Sequence, residues 1–139
     1  MNTSHRFAVG VHIMTLLAST EGLLPSSMIA GSVNTNPAMI RRILGMLNKA
    51  GLTTASMGST GGAMLARPAA QVSLLEIYRA VDEPGVLALH ANMPNPDCEV
   101  GRCITGVLKG VIAKAENAME AVIAGISVED VLKDVLKSG

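Results

Sequence analysis

The stretch from residue 41 to residue 68 constrains the fold of this chain most strongly, because three structural signals follow one another within it. Apolar residues first recur at helical spacing, and Gly51 then supplies the glycine that commonly ends a helix. Two short runs, residues 52–57 and 63–67, flank a glycine-rich turn at residues 58–62, which predicts a β-hairpin. A helix followed by a glycine-tipped hairpin is typical of a winged helix-turn-helix.

Capping signals mark the starts of further helices along the chain. Ser4 is expected to cap the first helix, Asn36 to cap the third with Pro37 in its first position, and Asp97 to cap the longest. The predicted helices begin near residues 5, 25, 37, 73, 98 and 127. The fold class that follows is mainly α with a small β-hairpin wing and one long additional helix.

The long helix after residue 97 is more apolar than a single small domain requires. Its apolar residues keep a spacing near 3.6 for over twenty residues, and Gly101, Gly106 and Gly110 would permit close backbone approach. A symmetric pair of such helices would bury this surface, so we expect a homodimer. The alternative is a helix packed entirely inside its own chain. We predict a DNA-binding domain at residues 1–84, and a sensor loop, dimerisation helix and C-terminal helix at residues 85–139.

The net charge of zero conceals an asymmetry between the two halves of the chain. Up to Arg67 there are five basic residues and one acid, Glu21, a net charge of 5 − 1 = +4; the remainder has 6 − 10 = −4. Such a difference suggests that one half meets a polyanion, although accidental drift would also produce it. Phe7 and Tyr78 are the only aromatic residues, which argues against a stacking platform for single-stranded nucleic acid.

Several other classes of protein are disfavoured by the sequence. No stretch approaches the roughly 20 apolar residues of a membrane span. The N-terminus superficially resembles a signal peptide but fits an amphipathic helix without a clear cleavage site, so we expect a cytoplasmic protein with no membrane partner. No pairing of a nucleophile with a base and no complete set of metal ligands is apparent, and an enzyme is therefore not expected.

Six segments in order resemble the Rrf-type winged-helix transcription regulators. They include the opening helix, the end of the recognition helix, the wing, the helix after it, and the starts of the dimerisation and last helices. In this chain they lie at residues 4–9, 43–52, 58–68, 74–81, 97–102 and 126–132. The resemblance implies a homodimeric regulator, expected to be a repressor, that binds double-stranded DNA at half-sites about one helical turn apart or a multiple of it.

The N-terminal part of the recognition helix is expected to carry the DNA contacts in the major groove. Arginine suits guanine edges or phosphate, and Arg41 and Arg42 diverge by roughly 100° as helical neighbours, so one is expected to face base edges and the other the backbone. The resemblance places Arg41 at a base-reading position; a solvated surface arginine is the alternative. The candidates in this helix are Asn36, Ala38, Met39, Arg41 and Arg42.

Two further groups of small polar residues are candidate DNA contacts. Ser26 and Ser27 open the second helix, where hydroxyl groups and free N–H groups suit a phosphate, although both could simply be caps. In the wing, Ser59, Thr60 and Gly61 would let the backbone approach the minor groove or a phosphate; a plain tight hairpin is the alternative.

The wing departs from the Rrf-type pattern at two positions. Family members often carry arginine before the first wing glycine and an aromatic residue after the glycines, whereas this chain has Met57 and Ala63. Both changes lower the expected affinity for DNA. Met57 and the modest charge of the chain motivate an alternative function, a winged-helix dimer that serves as a ligand-sensing or protein-interaction module with weak DNA binding.

Cys98 and Cys103 lie where the resemblance places sensing cysteines. A thiol switch is the favoured interpretation, since a capping Asp97 would put Cys98 in the first helical turn. The helix dipole and Arg102 would favour the thiolate there, while Asp97 and Glu99 would oppose it. Inert cysteines are the alternative. An iron–sulfur cluster generally needs four ligands and only two cysteines are present, so no cofactor is expected. Substitute ligands near in sequence would be His90, Asp97 and Glu99.

Overall fold

The computed structural model describes residues 5–82 and 85–139, and its elements there are mainly helical with one antiparallel hairpin, as the sequence predicted. The predicted cap Ser4 lies outside the described residues. His5 precedes the first helix and makes no side-chain capping bond. The elements are α1 (Arg6–Ala18), α2 (Ser26–Val33), α3 (Pro37–Lys49), β1 (Thr53–Ser56), β2 (Gly62–Leu65), a 3-10 turn (Ala69–Gln71), α4 (Leu74–Ala80), α5 (Glu99–Ala124) and α6 (Val128–Ser138).

The described residues form two compact units, one of residues 5–82 with 123–139 and one of residues 85–122. The sequence predicted domains at residues 1–84 and 85–139, which put the last helix in the second domain, whereas the structure groups α6 with the first unit. The reason is a backbone bridge between the starts of α4 and α6. The Leu74 N–H donates to the Ile126 carbonyl and the Val128 N–H donates to the Val72 carbonyl, both at 2.9 Å.

A single aliphatic core holds the first unit together. Each of its helices contributes side chains that are removed from water, and each large aliphatic group so buried stabilises the fold by about 1.5–3 kcal/mol. The side chains with less than 2% exposure are Ile13, Met14, Ile29, Ile40, Ile43, Leu47, Leu52, Val72, Ile77, Val81 and Val128. This core fixes α3 against α1 and α2, and it therefore sets the direction in which the outer face of α3 points.

The start and end of α3 follow the sequence prediction. The Asn36 side chain caps the helix by accepting a hydrogen bond from the Met39 N–H at 2.8 Å, and Pro37 occupies the first position. Gly51 ends the segment in the left-handed conformation, with a φ of 78°, which glycine adopts without steric cost. The chain then turns directly into β1.

The hairpin pairs Thr53 with Leu65 at its base and Ser56 with Gly62 at its tip. Gly62 was expected in the turn, but it is the first residue of β2. The backbone of Leu24 forms a bridge with Ala63 along the outer edge of β2. A Cβ atom on Gly62 would lie 2.5 Å from the Leu24 carbonyl oxygen, so this close approach requires glycine. The bridge anchors the hairpin beside the segment that leads into α2.

Candidate nucleic-acid interface

An open groove of about 500 Å³ separates α3 from the hairpin. One wall is α3, the other is the hairpin and its turn, and the start of α2 closes one end. Its lining residues are Pro25, Ser26, Arg41, Leu44, Gly45, Asn48, Thr53, Ala55, Ser56, Met57, Gly58, Ser59, Gly61, Gly62 and Ala63. All of these residues belong to the first unit, whose core fixes their backbone positions.

Four of the residues that the sequence nominated for DNA binding meet in this groove. Arg41 projects from α3 as an exposed side chain, and Ser26 is the first residue of α2. Ser59 and Gly61 belong to the turn of the hairpin. The fold thus brings together a guanidinium group, a hydroxyl at a helix start and the backbone of a tight turn, which are three kinds of hydrogen-bond donor suited to phosphate.

The other nominated residues lie outside the groove, and they divide into two kinds. Ala38, Arg42, Ser27 and Thr60 are exposed. Asn36 and Met39 have structural roles, although Asn36 is exposed as well. The Asn36 side-chain oxygen is the helix cap, while Met39 is half-buried and packs against the core.

Asn48 and Gly45 line the groove together with Arg41, although the sequence interpretation did not include them. The three residues are spaced i, i+4 and i+7, so they lie along one face of α3. The interpretation considered only the N-terminal part of the recognition helix, whereas the groove runs along residues 41–48 of it. The helical period that predicted the buried face could also have identified this opposite face. Ser56, at the end of β1, was missed as well.

The surface around the groove is cationic, with an uncharged hairpin. Arg41, Arg42 and Lys49 are exposed along α3, and no acidic residue occurs between Glu21 and Glu76 in the sequence. Between Lys49 and Arg67 there is no charged residue of either sign. The positive charge that would attract a phosphate backbone is therefore concentrated on α3.

Arg67, at the base of the hairpin, is engaged with α4 and does not join this surface. Its guanidinium group donates to the Glu76 carboxylate, which also accepts from the Ser73 N–H at 3.1 Å. Partial burial alone would raise the pKa of Glu76, but the hydrogen bonds from Arg67 and Ser73, and the charge of Arg67, outweigh it and lower the pKa. This contact ties the hairpin to α4.

In the second unit, the two cysteines lie at the start of α5, and both are exposed free thiols. The predicted cap is wrong by one residue. The carbonyl of Cys98, rather than that of Asp97, accepts the first helical bond, from the Arg102 N–H at 2.8 Å. The reason is the turn before the helix, in which the Asp97 N–H donates to the Asn95 side chain at 3.0 Å.

The turn that carries Cys98 is held against α5 at two points. Arg102 donates from its guanidinium group to the Pro96 carbonyl at 3.0 Å. A Cβ atom on Gly101 would lie 2.5 Å from the Asn95 carbonyl oxygen, so the close approach of the turn depends on glycine at that position. Cys98 therefore precedes α5 in an ordered turn, while Cys103 lies within the helix.

Ligands for a metal or a cluster are sparse in this region. Within residues 5–82 and 85–139, no three His, Cys, Asp or Glu side chains are grouped so that they could hold a metal ion. The two thiols are fewer than the four ligands that an iron–sulfur cluster generally takes. Of the helices described, none has the length and apolarity to cross a membrane.

Comparison with known proteins gives consistent results from sequence and from structure. Residues 3–134 match the Rrf2 family, described as an iron-dependent transcriptional regulator. YwnA of Bacillus subtilis (strain 168), by name an HTH-type transcriptional regulator, is 42% identical over 128 residues, which cover 91% of this chain and 94% of YwnA. Among solved structures, T. potens IscR matches with a TM-score of 0.72 and 26% identity over 97% of this chain and 88% of that one. CymR, the global cysteine regulator of B. subtilis, shares the fold with a TM-score of 0.70 and 20% identity over 96% of this chain and 97% of CymR.

Proposed function

Because the chain belongs to the Rrf2 family of transcriptional regulators, we propose that it is a cytoplasmic homodimer that binds specific double-stranded DNA sites and represses transcription from them. The relatives are regulators of transcription and not enzymes, and the fold is a DNA-binding fold. The dimeric state, the repression and the response to a signal are the parts that we add.

The groove between α3 and the hairpin is the observation that carries the proposal. The Arg41 side chain lines this groove beside the hairpin turn. Helix α3 packs on the core through Ile40, Ile43 and Leu47, so the face that carries Arg41 points toward solvent. A helix of this kind enters the major groove while the wing lies over the neighbouring backbone or minor groove. We infer that Arg41 contacts base edges and that Arg42 and Ser26 contact phosphates.

The dimer is supported by the composition of the exposed surface of α5. Val100, Val107, Val111 and Val122 are each more than half exposed and are spaced 7, 4 and 11 residues apart, so they form one stripe along the helix. Pairing two copies across this stripe would bury it and would place two recognition helices about a two-fold axis. Such a pair would read a palindromic or nearly palindromic site.

The test of DNA binding uses a duplex that covers the promoter region of the protein's own gene. Fluorescence anisotropy should show binding that weakens steeply with salt, because phosphate contacts release counterions. The double variant Arg41→Glu, Arg42→Glu should lose this binding while keeping its melting temperature. Lys109→Glu, Lys137→Glu, which makes the same change of four charge units at exposed sites on α5 and α6, is the matched control and should retain binding. Binding by the Arg41→Glu, Arg42→Glu variant equal to wild type would contradict the proposal.

We further propose that Cys98 and Cys103 respond to oxidants. A peroxide would take two electrons and two protons from the pair of thiols to form a disulfide, and would itself be reduced to water and an alcohol or to two waters. Cys103 lies five residues beyond Cys98, on nearly the opposite side of an ideal helix, so the bond would require the turn held by Arg102 to open. DNA affinity should then change on oxidation in the wild type but not in Cys98→Ser or Cys103→Ser. An identical response of all three proteins would contradict the switch.

A further inference from the structure

The end of β1 presents one large apolar side chain to solvent. Met57 follows Ser56, the last residue of β1, and is 94% exposed. It lines the groove that also contains Arg41, so it lies on the face that the proposed function assigns to DNA. A side chain this exposed contributes almost nothing to the core, and the fold alone gives no reason for a large apolar group at this position.

The tight turn beyond Met57 defines the backbone from which its side chain projects. Gly58 has a φ of 102°, a conformation that side chains strongly disfavour, and its carbonyl accepts from the Gly61 N–H at 3.0 Å. A Cβ atom on Gly61 would lie 2.2 Å from the Ser56 carbonyl oxygen, so the turn closes tightly on itself. Met57 is therefore presented from a closed hairpin.

The hairpin lacks the charges with which a wing could hold a phosphate. No residue between Lys49 and Arg67 is charged, and Arg67 is engaged with Glu76. The contact of the wing with DNA must then come from backbone groups, from the hydroxyl groups of Ser59 and Thr60, and from apolar surface. Methionine is unbranched and polarisable, and it belongs to the set of apolar side chains that proteins insert between base steps in the minor groove.

We propose that Met57 is a specificity-determining residue of the wing. Its side chain enters the minor groove beside the half-site and wedges against a deformable base step. The inference rests on the proposed function and adds a mode of recognition to it. Pyrimidine–purine steps such as TA and CA/TG unstack most easily, so the wedge selects them without a hydrogen bond to any base. Arg41 reads base edges in the major groove, and Met57 reads the deformability of the adjacent DNA.

Parallel selections from a pool of duplexes with a random central region test this selectivity. Wild type, Met57→Ala and Met57→Arg are each allowed to enrich sequences from the same pool. The wild-type protein should enrich pyrimidine–purine steps at a fixed distance outside the half-site, and Met57→Ala should keep the half-site but lose that flanking preference. The same flanking preference in Met57→Ala and wild type would overturn the proposal.

Binding measurements on a duplex enriched by the wild type provide the second test. Met57→Ala should lower affinity by about tenfold, which corresponds to 1.4 kcal/mol, with an unchanged salt dependence because no phosphate contact is lost. Met57→Arg should instead steepen the dependence of log affinity on log salt by about one unit. Met93→Ala is the matched control, since Met93 is 90% exposed in the second unit, and it should bind as wild type does.

The outcomes separate this inference from the function on which it rests. If wild type binds and the Arg41→Glu, Arg42→Glu variant does not, the proposed function stands, and a Met57→Ala affinity equal to wild type overturns only the wedge. In that case the exposed methionine would be available to a protein partner. If the wild-type protein enriches no DNA from the pool, both proposals fall. Equal melting temperatures of wild type and Met57→Ala exclude misfolding as the cause of a loss.

Discussion

Helices α3 and α5 are both amphipathic, but α3 buries Ile40, Ile43 and Leu47 completely, whereas no residue of α5 is buried, although the structure describes every residue of that helix. The apolar face of α3 packs against α1 and α2 of its own chain. The apolar stripe of α5 remains in water over a helix of 26 residues. The first unit is therefore complete as a single chain, and the second has a surface that a single chain leaves exposed.

The difference divides the tasks of the molecule between its two units. A complete core gives the groove beside α3 a fixed shape, which recognition of a particular DNA sequence requires. If α5 pairs with a second copy, as we propose, the spacing of the two recognition helices would depend on that pairing. A signal received at Cys98 or Cys103, at the start of α5, would act on the spacing and leave each groove intact.

The largest expected effect tests whether the core of the first unit is independent of association. Ile43→Ala should lower the free energy of unfolding by about 2–5 kcal/mol, because it leaves a cavity among fully buried neighbours. Val111→Ala in α5 should match wild type within about 0.5 kcal/mol at protein concentrations low enough for monomers. Chemical denaturation over a range of protein concentrations provides the measurement. A large deficit in monomeric Val111→Ala would show that α5 is packed within its own chain.

The next effect tests whether the α5 stripe is the dimer interface. Val107→Glu places a charge at the centre of the stripe, where a partner helix would have to bury it, so the protein should sediment as a monomer. Affinity for a palindromic duplex should fall by about 100-fold, or about 2.8 kcal/mol, because two half-sites are no longer bound together.

Lys109→Glu is the control for that experiment. It also alters charge on α5, but at an exposed position about 200° around the helix from Val107. It should remain a dimer in sedimentation and should bind the palindromic duplex as wild type does. If the Val107→Glu protein is still a dimer, the dimer interface lies elsewhere on the molecule.

A smaller effect concerns the starts of the two helices. Asn36 caps α3 with its side chain, whereas α5 begins at Glu99, directly after Cys98 and a turn held by Asn95. Asn36→Ala should lower the free energy of unfolding by about 1 kcal/mol, and Asn36→Ser should restore most of it, since serine caps nearly as well as asparagine. If Asn36 reads DNA as well, Asn36→Ser should recover stability without recovering affinity in the anisotropy assay.

The contrast between α3 and α5 also explains which structural features could be predicted from the sequence. The fold class, the Asn36 cap and the Gly51 stop depend on local chemistry, and residues within a few positions of one another determine them. The start of α5 was misplaced because Asn95 and Gly101 form a turn that shifts the cap from Asp97 to Cys98. No standard capping signal marks a cysteine at that position.

The groove was only partly predictable, because it is formed between elements. Arg41 and Ser59 were identified from their residue types, and the resemblance supported them. Asn48 and Ser56 were missed because their roles depend on where the hairpin lies relative to α3, and the Leu24 bridge fixes that position across a gap of nearly forty residues. The grouping of α6 with the first unit likewise depends on a distant pairing, between Ser73 and Ser127.

The smallest expected effect concerns the tie between the hairpin and α4 in the first unit. The lowered pKa of Glu76 means that its charged form is favoured in the folded protein, so this stabilisation is present above the ordinary value of 4.5 and is lost as the pH falls through the lowered folded value. At pH 7 wild type should exceed Glu76→Gln by at most about 1 kcal/mol in the free energy of unfolding, because both partners are partly exposed. This difference in the free energy of unfolding between wild type and Glu76→Gln should disappear in acid. A Glu76→Gln deficit that persists unchanged in acid would mean that the shape of the Glu76 side chain, and not its charge, holds the hairpin to α4.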